Sequence, residues 1–84
     1  MSIDIVYFAW VRERIGAPSE LYEGDAASLA ELIEELAERS PAHKLVLSDT
    51  SPLRIAVDQK MVDDLGMPIA GIREIAIFPP MTGG

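Results

Sequence analysis

Ile3, Ile5 and Tyr7 recur at every second position, with Val6 and Phe8 between them. Period-two alternation marks a strand, because successive side chains point to opposite faces. Apolar residues fall on both faces, so the pattern predicts a central strand covered on both sides. Trp10 to Ile15 is of mixed character and stops at Gly16, which fits a short helical turn. Ala17-Pro18 breaks the chain, and Ser19 to Glu23 reads as a second strand with Leu21 inward.

Leu29, Leu32, Ile33 and Leu36 follow the i, i+3, i+4, i+7 spacing of a one-sided helix over Ser28 to Arg39. Ser28 with Glu31 three residues later is a capping box for its first turn. Glu31, Glu34, Glu35 and Glu38 take the outer face as plain solvated surface. Ser40-Pro41 ends the helix, since proline disfavours helix at the residue before it. Pro41 to Leu53 reads as a connection with a short apolar run, Lys44-Leu45-Val46-Leu47, and turn residues after it. Arg54 to Asp58 alternates as a strand, and Asp58-Gln59-Lys60 turns into a short Met61-Val62 strand. Gly66, Pro68 and Gly71 punctuate a loop, and Glu74 to Phe78 is a last strand stopped by Pro79 and Pro80.

The predicted class is α+β, a roll in which a mixed sheet of four or five strands packs on one main helix. The right-handed crossover through that helix calls for a parallel pair, most simply the first and last strands. That is the arrangement of a β-grasp. The expected division is one domain over residues 1–80 and a flexible, reactive tail over 81–84.

Composition narrows the chemistry. Net charge is −7, and seven of the 14 acidic residues lie between Glu20 and Glu38. Such a surface repels phosphate backbones, which argues against nucleic-acid binding. It either steers in a partner with a basic face or simply keeps a small protein soluble. The chain has no cysteine, which excludes disulfides, thiolate metal sites and a cysteine nucleophile, and fits a reducing cytoplasm. The first residues lack the basic and apolar regions of a signal peptide. The longest apolar run, Ile5 to Val11, is far short of a membrane span. His43, the single histidine, has no ligand-like neighbours and reads as a surface residue. Neither a glycine-rich phosphate loop nor a nucleophile elbow is present.

What stands out is the ending, Phe78-Pro79-Pro80-Met81-Thr82-Gly83-Gly84. Two prolines hold φ near −65° and favour a stiff, extended exit from the last strand. Thr82 is small and the glycines have no Cβ, so the end could thread a narrow channel. From Met81 onward it would reach roughly 13 Å at ~3.3 Å per residue. The one distinctive reactive atom is then the carboxylate carbon of Gly84.

These residues resemble the small subunits of molybdopterin synthase, ubiquitin-like sulfur carriers of molybdenum cofactor biosynthesis. The resemblance spans nearly the whole chain. It is carried by Tyr7-Phe8-Ala9 with Arg12-Glu13 and Gly16, by Val57-Asp58-Gln59, and above all by Ile77-Phe78-Pro79-Pro80-Met81-Thr82-Gly83-Gly84. Ubiquitin and thiamin-pathway carriers share the glycine pair but not the Phe-Pro-Pro lead-in. The chain departs from the family at Asp58, often Asn; at Ile77-Phe78, often two aromatics; and at Gly71-Ile72-Arg73-Glu74, where a Gly-Asp-Glu turn is usual.

The resemblance implies a non-catalytic sulfur-donor subunit, with the active site mainly on the large subunit of a heterotetramer. An adenylating, activating enzyme would use ATP on the Gly84 carboxylate, and sulfur would replace AMP to leave a C-terminal thiocarboxylate. Gly83 would let the tail enter the large subunit. Phe8, Arg12, Met61 and Phe78 would dock that partner, with Pro79, Pro80, Met81 and Thr82 along the tail. No bound cofactor, metal, nucleic acid or membrane is implied. Two alternatives stay open: a ubiquitin-like modifier (or thiamin-type carrier) using the same glycine pair, and a non-reactive interaction module.

Overall fold

The computed structural model describes residues 1–80. They form five strands and three helices in the order β1 (Ser2–Tyr7), α1 (Ala9–Ile15), β2 (Ser19–Glu23), α2 (Leu29–Ala37), α3 (Pro41–Leu47), β3 (Arg54–Val57), β4 (Lys60–Val62) and β5 (Glu74–Phe78). The sheet order is β2-β1-β5-β3-β4. β1 and β5 run parallel at its centre, as the crossover requires, and every other pair is antiparallel.

One face of the sheet is buried. Ile3, Ile5 and Tyr7 of β1, Ile75 and Ile77 of β5, and Ile55 and Val57 of β3 meet Leu29, Leu32, Ile33 and Leu36 of α2 in a single core. α2 starts as expected: the Ser28 hydroxyl accepts the Glu31 N–H at 3.2 Å, and Glu31 reaches back to the Ala27 N–H at 2.8 Å. It ends two residues earlier than the spacing suggested.

Four expectations fail, each for a local reason. Ser40-Pro41 ends α2, the longest helix, but opens a further helix rather than a loop. Ser40 is its N-cap, accepting the His43 N–H, and Pro41 occupies the first turn, where a missing N–H costs nothing. β1 is central but covered on one side only: Val6 is half-buried and Phe8 exposed. In β2 it is Tyr22 that points inward and Leu21 that lies 47% exposed. The register places Tyr22 beside Ile3 and Glu20 beside Ile5, and a one-residue slip would reverse every side chain.

The inward Glu20 is accommodated by a polar network. Its carboxylate accepts from the Tyr7 hydroxyl at 2.6 Å, from His43 Nε2 at 2.5 Å and from Arg39 Nη1 at 2.9 Å. His43 is therefore buried, contrary to its expected surface place, and its Nδ1 takes the Ser40 hydroxyl at 2.7 Å. These bonds tie β1, β2 and α3 together. Burial pushes the Glu20 carboxyl up, but the bonds from Tyr7, His43 and Arg39 outweigh it and hold the group below its usual value.

A carboxylate lowered on folding contributes stability that is present above its unfolded value, about 4.3, and is lost as pH falls through the folded value. Glu20→Gln leaves one of three donors facing an amide N–H, so it should cost about 1–3 kcal/mol at neutral pH. Urea melts across pH should show wild-type stability dropping below the usual glutamate range, with a shallower drop in the variant. Parallel pH curves would remove Glu20 from this role.

The hairpin from β3 to β4 turns through Asp58 and Gln59, both in the left-handed region at φ 48° and 70°. Asp58 has a second use: Oδ1 accepts the N–H groups of Arg73 and Glu74, each at 3.0 Å. Together with Gly71 at φ 83°, this orders the Gly71-Ile72-Arg73-Glu74 entry into β5 without the family's usual Gly-Asp-Glu.

Candidate functional site

β5 delivers the chain to Phe78, Pro79 and Pro80, all half-buried, beside the end of β1. The Phe8 N–H donates to the Ile77 carbonyl at 3.2 Å, which fixes the root of the tail against that strand. The Phe8 and Phe78 rings meet edge to face, 6.3 Å between centroids at 87°, the arrangement that aromatic quadrupoles favour. Ala9 takes φ 54° at the corner into α1, a strained value for a residue with a Cβ. Directly before that corner, the Phe8 ring lies 47% exposed.

The uncovered face of the sheet continues from these rings. The register aligns Val6 of β1, Ala76 of β5, Ala56 of β3 and Met61 of β4 in one row across four strands. Val6, Ala56 and Ala76 are half-buried, and Met61 is 58% exposed. This is a flat apolar belt with little side-chain bulk at its centre. Arg54 lies opposite Phe78 on the same face, and at the other end Asp4 lies beside Glu74.

Phe8, Phe78 and Met61, singled out in the sequence, are thus brought onto one face. Arg12 is exposed on α1, one turn beyond Phe8, where its N–H donates to the Phe8 carbonyl at 3.4 Å. Met81, Thr82, Gly83 and Gly84 lie outside the described residues. The sequence places Val6, Arg54, Ala56 and Ala76 in strands but does not mark them as site residues. Their period-two placement opposite core residues was a usable signal, but small side chains drew no attention and only the register joins them. Among the described residues, no group of three or more His, Asp or Glu side chains is placed to hold a metal ion.

Comparison with known proteins gives this arrangement a setting. The sequence profile of the ThiS family matches residues 5–84. The chain is 34% identical to the molybdopterin synthase sulfur carrier subunit of Escherichia coli, covering 98% of this chain and 99% of that one. It is 33% identical to the protein of the same name from Haemophilus influenzae, with the same coverage. Among solved structures, the fold matches small archaeal modifier protein 1 of Haloferax volcanii with a TM-score of 0.81, at 24% identity and full coverage of both chains. It also matches a complex of subunits 1 and 2 of molybdopterin-converting factor from Helicobacter pylori, with a TM-score of 0.70, 25% identity and full coverage of both chains. Matched by its profile over all but the first four residues, and by relatives a third identical across its length, the chain belongs to the ThiS family.

Proposed function

We propose that the chain is the sulfur carrier subunit of a molybdopterin synthase, with residues 1–80 presenting a reactive tail over 81–84. The observation that carries this reading is the Phe78-Pro79-Pro80 root held against Phe8 at the edge of an uncovered apolar face. A face of that kind needs a partner to cover it, and the large subunit is the partner that the relatives' name and the subunit complex suggest.

In this reading the Gly84 carboxylate attacks the α-phosphorus of ATP on a separate activating enzyme, releasing pyrophosphate. The resulting acyl adenylate is a far better electrophile than a carboxylate. Sulfur at the sulfide level, delivered by a donor, attacks the acyl carbon, expels AMP and leaves the thiocarboxylate. In the large subunit's pocket the thiocarboxylate sulfur forms a bond to a carbon of the pterin precursor as an oxygen substituent leaves that carbon, and water then cleaves the acyl–sulfur bond, restoring the Gly84 carboxylate. Two such rounds build the dithiolene. Gly83 keeps the approach narrow, and Pro79, Pro80, Met81 and Thr82 line the path between globule and pocket. A cytoplasmic site of action accords with a chain that has no cysteine.

Docking uses Phe8, Arg12, Met61 and Phe78. Phe78→Ala should weaken binding to purified large subunit by about 2 kcal/mol or more, as aromatic anchors commonly do. Its ring is only half-buried in the free chain, so the fold should survive. Calorimetric titration with a circular-dichroism control reads both. Unchanged binding, or an unfolded variant, would remove Phe78 from the interface.

A further inference from the structure

The uncovered face is not uniform along its strands. At the end remote from the tail, Asp4 and Glu74 sit side by side on the parallel pair β1 and β5. In the middle runs the belt of Val6, Ala76, Ala56 and Met61. At the tail end stand Phe8 and Phe78, with Arg54 across from Phe78. Four residue steps lead from Asp4 to Phe8, about 13 Å at ~3.3 Å each. Both charged ends therefore fall within one partner footprint.

None of these charges is neutralised within the chain as described. Among the described residues the ion pairs of Lys and Arg with carboxylates are Arg39–Glu20 and Lys44–Glu38. Arg54 donates only a long bond, 3.5 Å, to the Leu53 carbonyl, although the chain carries twice as many acidic as basic residues. Neighbouring like charges such as Asp4 and Glu74 oppose one another on a sheet. Covering the apolar belt would exclude water from their edges, which strengthens a matched contact and makes an unmatched one costly.

We propose that this polarity fixes the direction in which the large subunit lies across the sheet: Arg54 takes a carboxylate from the partner beside the root of the tail, and Asp4 with Glu74 takes a cation at the far end. The inference rests on the docking reading above and adds a specificity device to it. The small side chains of the belt themselves give a partner little by which to tell one direction from the other, yet only one direction points the tail at a pocket. End-for-end reversal would set like charge against like, which is how interfaces suppress wrong registers.

The test titrates purified large subunit with Arg54→Glu, with Arg54→Gln, and with the double variant Asp4→Lys/Glu74→Lys, at low and high salt. Each charge reversal should weaken binding about tenfold or more at low salt. The loss should shrink as salt screens it, and Arg54→Gln should fall between wild type and Arg54→Glu. All three positions lie off the core, and amide spectra of the free variants check the fold. Wild-type affinity in both reversals, or losses indifferent to salt, would overturn the inference. Phe78→Ala in the same series separates two failures. If it weakens binding while the reversals do not, docking stands and the polarity falls; if it too binds normally, the docking reading falls with it.

Discussion

Removing Gly84 is expected to lower sulfur transfer by roughly 10²-fold or more while leaving fold and docking unchanged. The proposed chemistry takes place at one carbonyl carbon, which must be both terminal and placed within bonding reach of the precursor. Deletion draws the carboxylate back by ~3.3 Å, whereas misplacement by about 1 Å can already cost on the order of 10²-fold. Appending one residue attacks the same requirement differently, by converting the reactive carboxyl into an ordinary amide. Gly83→Val tests the passage, because a β-branched side chain adds bulk and restricts the backbone. All three leave unchanged the core built by the described residues, from Ile3 to Ile77. The assay is molybdopterin formation from precursor, with purified large subunit and each variant after treatment with activating enzyme, ATP and sulfide. Near-normal product from the Gly84 deletion would mean that the tail is only a tether.

The second large effect belongs to the scaffold. Leu32 is 0% exposed, on the face of α2 that meets the sheet, with Leu29 and Leu36 equally enclosed. Leu32→Ala should cost ~2–5 kcal/mol, the sum of lost transfer energy and a cavity that a helix packed on both the sheet and α3 closes poorly. For a domain whose total stability is on the order of 5–15 kcal/mol, that is a substantial share. The midpoint in urea should fall with little change in slope. A loss below ~1 kcal/mol would contradict the placement of this residue at the centre of the helix–sheet interface.

The helix carrying Leu32 was legible because four apolar residues kept one spacing and a capping box marked the start. The parallel pairing of β1 with β5 was legible from connectivity alone. β2 misled for a physical reason. Its inward positions are Glu20 and Tyr22, whose polar atoms are satisfied by distant partners, so hydropathy pointed to Leu21 instead. Tyr22 gives its hydroxyl proton to Glu35 at 2.8 Å and accepts the Ala26 N–H at 3.0 Å, and no local pattern announces either bond. α3 was hidden in the same way. Its buried residues, His43, Val46 and Leu47, keep helical spacing, but a seven-residue segment with a histidine on its inner face does not read as amphipathic.

The candidate site divides similarly. Phe8, Phe78 and the proline pair were visible as residues, and the resemblance supplied Arg12 and Met61. What no linear reading could supply was the row of Val6, Ala76, Ala56 and Met61, drawn from four strands, or the meeting of Arg54 with Phe78. A sheet face is assembled by register, and register is a tertiary property.

The central claim is that sulfur travels on the last carboxyl of this chain. Intact-mass analysis of the protein from its native cell, with fragmentation of the C-terminal peptide, tests it most directly. The account predicts a population heavier by the difference between one sulfur and one oxygen atom, with the added mass confined to Gly84. A chain found only as the carboxylate or as isopeptide conjugates to lysines of other proteins, even when precursor and sulfur donor are plentiful, would contradict it.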